Sequence, residues 1–138
     1  MWMSILVAAA LAAGTPAVQP GGACLHAAGQ ERPADRDRSI GALAAVRAIN
    51  TAQSQYAARQ AQSGGSTKKY AARNELQSLV DGTRYNLSPG VELTPGFKLT
   101  LDTFDGGYWL ELVDTRDTCG FRFVSNHSGL ILTAQPIQ

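Results

Sequence analysis

The sequence predicts an α+β fold, one long N-terminal helix packed on a four-stranded antiparallel sheet. Three features predict it: apolar residues at helical spacing from Ser39 onward, a Gly64-Gly65 break after them, and alternating apolar and polar residues around turn signals in the last third. With 138 residues the chain can hold one core and is too short for two. Lys and Arg total 12 against 11 Asp and Glu, and the resulting net charge of +1 lacks the basic excess of a nucleic-acid binder. A hydrophobic share of 44% is enough for a packed core. No apolar run reaches the ~18 residues of a membrane span.

The helix comes first. Ile40, Leu43, Val46, Ile49 and Tyr56 recur at steps of three to seven, with Ala in many of the gaps. At 100° per residue, the large side chains from Leu43 onward share an arc of about 140°. Gly64-Gly65 ends the run, so the helix is expected over residues 39–62. Just upstream, residues 30–38 (QERPADRDR) alternate acid and base around Pro33 and read as a solvated linker or a fraying first turn. Tyr70, Leu76, Leu79 and Val80 suggest a second, shorter helix over residues 70–80, ended by Asp81-Gly82. Residues 85–96 (YNLSPGVELTPG) contain two Pro-Gly pairs and are expected to form an irregular loop.

The sheet follows. Phe97, Leu99 and Leu101 alternate with Lys98, Thr100 and Asp102, and Asp105-Gly106-Gly107 signals a turn before residues 108–113 (YWLELV). Pairing Leu101 with Leu110 also pairs Leu99 with Leu112, both on one face, while Thr100 and Glu111 share the other. A slip of one residue destroys that agreement, so the register is well specified. Residues 119–124 and 130–133 are expected to form a second hairpin around Asn126-His127-Ser128-Gly129. Leu99, Leu101, Leu110, Leu112, Phe121 and Phe123 should then face Leu43, Val46, Ile49 and Tyr56 of the helix.

The N-terminus carries a different signal. Every charged side chain lies beyond residue 30, and residues 5–13 (ILVAAALAA) are apolar and followed by small and turn-forming residues. That order reads as a secretory signal peptide, with a cleavage site after Ala17, although the MWMS start lacks Lys or Arg. The chain is therefore divided into a signal peptide (1–17), a linker (18–38) and a domain (39–138), and the product is expected to be periplasmic or secreted. Two cysteines are present, Cys24 and Cys119. A disulfide between them suits an oxidising compartment. Lipidation at Cys24 is disfavoured by Gly21 and by its distance from the apolar run, and free or cleaved-off thiols are the remaining alternative.

The residues Arg47-Ala48-Ile49-Asn50-Thr51-Ala52-Gln53, then Tyr56, resemble the helix signature R-x-I-N-T-A-Q-x-x-Y of bacterial type IV pilin-like proteins and type II secretion pseudopilins. Gly120-Phe121-Arg122-Phe123-Val124 with Ser128-Gly129-Leu130-Ile131 is similar to their last hairpin, F-x-V-x-x-S-G-x-I. The order of long helix, variable loop and antiparallel sheet also matches, over residues 39–134. The pilin leader and the F-T-L-I-E opening of an apolar stem do not occur at this N-terminus, so the resemblance implies a stemless, exported, pilin-like domain. It also implies a structural or interaction role beside a pilus or secretion apparatus.

No catalytic site, metal site or cofactor is expected, and the protein is read as a non-enzyme. His127 beside Ser128 lacks a third group and sits in a turn, where neighbouring side chains diverge. Asn126-His127-Ser128 matches a glycosylation sequon, which the resemblance to bacterial proteins makes incidental. Asp114 and Asp117 (DTRDT) offer only two carboxylates where calcium takes 6–8 oxygens, so a plain polar loop is the simpler reading. Trp109, on the polar side of its strand, is the best partner-facing aromatic, against the ordinary alternative of packing beneath the 85–96 loop. Residues 30–73 carry eight basic and three acidic side chains, a net of +5, and residues 75–138 carry four and eight, a net of −4. Opposite patches can steer head-to-tail encounter, although a scattered solvated surface is the simpler reading of these charges. The expected partners are other proteins, with monomeric or weakly associating behaviour. The alternative function is a small secreted ligand-binding module on the same scaffold.

Overall fold

A computed structural model of the chain describes residues 33–65, 67, 69–117 and 122–134. The elements in order are α1 (Pro33–Gln62), α2 (Arg73–Leu76), β1 (Glu92–Thr94), β2 (Phe97–Phe104), β3 (Gly107–Asp114), β4 (Arg122–Asn126) and β5 (Ile131–Ala134). The class is α+β as expected. The strands form one antiparallel meander, β1-β2-β3-β4-β5, so the sheet has five strands rather than four. α1 packs against β4, β1 and α2.

α1 is helical already at Pro33, the first residue described there, and so includes residues upstream of Ser39. Asp35 in the first turn faces the positive end of the helix dipole. The segment that reads as a linker is thus helical from Pro33 on, and its alternating charges are partly internal pairs. The buried stripe does not begin at Ile40, which is 58% exposed. It runs through Ala42, Ala45, Val46, Ile49, Ala52 and Gln53, and its small residues let the sheet approach closely.

α2 is one turn only, not a helix over residues 70–80; Leu79 and Val80 N–H groups bond back to Leu76 O at 2.8 and 3.0 Å as the chain turns away. It does not start at Tyr70 because the Ala71 backbone is held by a side chain of α1 instead of by a helical neighbour. β1 falls inside the segment expected to be an irregular loop. Its three residues sit between two Pro-Gly pairs, too short a run for alternation to stand out.

The β2–β3 register is the expected one: Leu101 opposite Leu110, Leu99 opposite Leu112, and Thr100 opposite Glu111. Leu99, Leu110, Leu112 and Phe123 are buried with Val46 and Ile49, while Leu43, Tyr56 and Leu101 are partly buried against them. Phe121 lies outside the described residues. Leu76, Tyr85, Leu87, Leu93, Phe97 and Tyr108 complete the core, much of it supplied by the long 77–96 connection. β4 and β5 form the second hairpin, closed by Gly129 N donating to Asn126 O at 2.9 Å.

Candidate interaction surface

The segment that carries the family resemblance is placed at the seam between helix and sheet. Ile49 is fully buried. Asn50 Nδ2 donates to Ser125 Oγ at 2.8 Å, and Tyr108 Oη donates to Asn50 Oδ1 at 2.8 Å, so one helical side chain joins β3 and β4. Ser125 Oγ in turn donates to Leu130 O at 2.8 Å. One turn on, Gln53 Nε2 donates to Ala71 O at 2.9 Å and Gln53 Oε1 accepts from Ala71 N at 2.8 Å. These are buried polar groups with their bonding satisfied, and such networks fix a unique packing. Burial, with the neighbouring Tyr70 phenol as a second cause, pushes the Tyr108 hydroxyl up to about 12. Tyr56 closes the segment by donating to Glu75 Oε1 at 2.7 Å, which raises the phenol and lowers the carboxyl.

Asp114 and Asp117 do not form the plain polar loop expected of DTRDT. Asp114 ends β3, is buried, and accepts two bonds from Arg38 and further bonds from the Arg116 and Asp117 N–H groups. Asp117 is buried as well. The missed signal was Arg38 itself, which counts as a solvated charge in sequence and is a structural cation in the fold. Its hydrogen bond to Asp114, above all, raises the guanidinium further. Gly96 is fixed in the same corner: its φ is +82°, and a Cβ there would lie 2.5 Å from Arg38 Nη1. Among the described residues, no group of three or more His, Cys, Asp or Glu side chains could hold a metal ion.

His127 and Ser128 are adjacent in sequence but do not meet as base and nucleophile. Ser128 Oγ donates to Asn126 Oδ1 at 2.6 Å, whereas the His127 ring lies 6.4 Å from both the Tyr70 and Phe104 rings. Cys24 and Cys119 lie outside the described residues.

Trp109 is not beneath the 85–96 loop. It stands on the outer face of the central strand, opposite Asp102 on one side and Asn126 on the other, and is 43% exposed. Strand alternation puts Lys98, Thr100, Asp102, Glu111, Val113, Arg122, Val124 and Leu132 on this same face. Val124 faces Leu132 across the β4–β5 ladder, and Leu132 is 54% exposed. The helix covers the other face, so the outer face is the broad open surface of the domain. It carries the apolar side chains Trp109, Val113, Val124 and Leu132 among the charges of Lys98, Asp102, Glu111 and Arg122. No helix among the described residues is long and apolar enough to cross a membrane.

Two clefts are lined by the connection between α1 and β2 and its neighbours. One, of about 560 Å³, is lined by polar groups including Arg84, Asn86, Glu92 and Arg116. The other, of about 570 Å³, has mainly apolar walls from Ala72, Leu87 and Pro89 with Asn74 and Gln77 at its rim. Comparison with protein-family models, with curated proteins and with solved structures finds no match for this chain.

Proposed function

We propose that the protein is an exported, non-enzymatic interaction protein with a pilin-like head, serving a pilus or a secretion apparatus. The observation that best supports this reading is how the pilin-like segment is used. Ile49 is buried in the seam, Asn50 bonds to the sheet and Gln53 bonds to the 70–72 connection. A signature explained by scaffold bonds accords with a shared head architecture, while the open sheet face around Trp109 offers a surface for partners. Export to the periplasm or beyond rests on the apolar run at residues 5–13, outside the described residues.

Deleting the gene in its source organism and counting surface fibres and secreted proteins tests the proposal. Loss of either, restored by the intact gene, supports it, as does photo-crosslinking from position 109 to a pilus or secretion component. Normal fibres and normal secretion overturn it. The second reading, a small ligand-binding module, draws on the apolar-walled cleft of about 570 Å³, a size ligand pockets commonly have. A small molecule that raises the melting temperature of the wild type but not of a Leu87→Trp variant would favour that alternative.

A further inference from the structure

We infer that the cleft of about 560 Å³ lined by residues 82–86, 92–95 and 116 takes a phosphate monoester group between the guanidiniums of Arg84 and Arg116. The site is distinct from the apolar-walled cleft, and it goes beyond the pilus or secretion reading without depending on it. Three backbone segments run side by side here. Asn86 N donates to Leu93 O at 3.2 Å, and Thr115 N donates to Gly96 O at 2.8 Å. Residues 84–86 and 115–116 therefore flank residues 93–96, and each flank carries one arginine into the same cleft.

Both arginines are held at their roots. Arg116 N donates to Asp114 Oδ1 at 2.8 Å. Its Nε passes 3.1 Å from the point where a Cβ on Gly96 would stand, so the side chain lies over the middle segment. Arg84 N donates to Asp81 O at 3.0 Å, and the Asp81 carboxylate fixes that turn by accepting from Thr83 N and Thr83 Oγ1 at 3.0 and 2.6 Å. The Arg84 guanidinium carbon lies 5.8 Å from the centroid of the buried Tyr85 ring, within the range of a cation–π contact.

The chemistry of the occupant follows from which polar side chains are already engaged. Among the described residues, ion pairs join Arg38 to Asp35 and Asp114, and Arg122 to Glu111, and neither Arg84 nor Arg116 belongs to one. Glu92 is the carboxylate in the lining, and each of its oxygens already accepts a bond, from Gly96 N and from Thr115 Oγ1. Asn86 Oδ1 accepts from Ser88 N at 2.9 Å, which leaves its NH2 as a donor. The side-chain carboxylate and amide oxygens are thus engaged, whereas two guanidiniums and an amide NH2 remain open to a ligand. A planar guanidinium grips an oxyanion through paired N–H groups. A carboxylate has two oxygens to share among these donors, whereas a phosphate monoester has three terminal oxygens and a charge of about −1.5 to −2 at neutral pH. Two arginines against one glutamate leave the charged lining positive, enough for one such group and far short of the basic stripe that a nucleic acid needs. The volume lies within the range of small-molecule sites and leaves room for the esterified part.

The test uses the whole chain with two phosphate probes, glycerol phosphate and vesicles of phosphatidylcholine carrying phosphatidic acid, and with acetate for comparison. Calorimetric titration and amide chemical shifts are followed together. Saturable binding of a phosphate probe is expected, with shifts centred on residues 84–86 and 115–116. Arg84→Gln and Arg116→Gln should each weaken it by about tenfold or more, since charge-assisted bonds are the strong ones. Arg116→Lys should fall between, because it keeps the charge and loses the fork. Both arginines are exposed, so these variants should keep the wild-type melting temperature. Arg47→Gln, which removes an exposed charge of α1 remote from the lining, should bind like the wild type. Binding of glycerol phosphate assigns a soluble ester, and binding of the vesicles alone assigns a lipid headgroup; either supports the site. Three outcomes overturn it: no saturation by either phosphate probe at millimolar concentration, acetate binding as tightly, or equal weakening by Arg47→Gln.

Discussion

Arg38 and Asp114, 76 positions apart, meet in a forked ion pair: Nη1 and Nη2 of the arginine donate to Oδ1 and Oδ2 of the aspartate at 3.0 and 3.1 Å. The same Nη2 reaches Asp35 Oδ1 at 3.0 Å, and the guanidinium carbon lies 5.5 Å from the Phe97 ring centroid. One cation thus binds the start of the helix to the end of the central strand. Removing one partner of a buried pair leaves the other charge uncompensated and typically destabilises by about 3–5 kcal/mol. Arg38→Met should fall near the lower end of that range in urea unfolding, since Asp114 keeps its two backbone donors. Arg38→Lys should recover only part of the loss, because an ammonium has no planar fork. A change within error for Arg38→Met would show that the pair is screened.

Gln53 is fully buried and satisfies both backbone groups of Ala71. Gln53→Ala strands a buried N–H and a buried C=O, each worth about 1–3 kcal/mol. The expected loss is therefore about 2–6 kcal/mol, while the neighbouring exposed Thr51→Ala should stay within about 0.5 kcal/mol. Amide exchange at Ala71 gives an independent check. It should accelerate in the Gln53 variant well beyond the global change if the glutamine clamps this connection locally.

The parts of the fold legible in the sequence are those where one physical signal dominates. Leu99, Leu101, Leu110 and Leu112 lie on strict alternation around a Gly turn, so pattern and register agree. Where signals compete, the reading fails. Pro33 and the charges around it read as linker because neither the proline's place in a helix nor the remote carboxylate for Arg38 can be seen locally. α2 starts later than its apolar spacing suggests because Gln53 takes the backbone of Ala71, a contact 18 positions away. β1 is too brief to alternate visibly. For the surface, Trp109 was legible from strand parity alone. Its exposure was not, because that depends on β3 being central and on where the loop lies.

Leu110 is fully buried on the inner face, and Glu111 beside it points outward to Arg122. Leu110→Ala removes core volume and should cost about 2–5 kcal/mol. Glu111→Ala loses a surface ion pair, worth about 0.2–1 kcal/mol. The melting temperature should fall steeply for the first and hardly move for the second. Equal shifts would mean that the two faces are exchanged.

Tyr108 supplies a pH dependence with a definite sign. Its hydroxyl is buried and pushed up to about 12, so the folded protein holds that proton more tightly than the unfolded chain does. The stabilisation is complete below the ordinary tyrosine range near 10 and is lost as pH rises from there through about 12. Stability should decline over that interval, less so in Tyr108→Phe, which has no phenol to ionise. Ultraviolet titration of the four tyrosines should also show a late-ionising fraction that shrinks in Tyr108→Phe, leaving the phenol of Tyr56, which is raised as well. An identical profile in the variant would remove Tyr108 as the cause.

The last prediction concerns self-association, for which the sequence offers opposite charges of +5 over residues 30–73 and −4 over residues 75–138. Within the fold some of that opposition is internal. Arg38 from the first region is paired with Asp114 from the second, Arg73 donates to Leu99 O at 2.5 Å, and Glu111 is bonded to Arg122 inside the second region. What remains outside is exposed charge, which is screened over about 8 Å at physiological salt and attaches surfaces weakly. The domain from about residue 30 on should therefore be monomeric at micromolar concentration, with any association at low salt fading as salt is raised. Light scattering across a salt series decides the matter. Oligomers that persist at high salt would refute it and direct attention to the outer sheet face, where Trp109, Val124 and Leu132 form the apolar row best placed to hold a second copy.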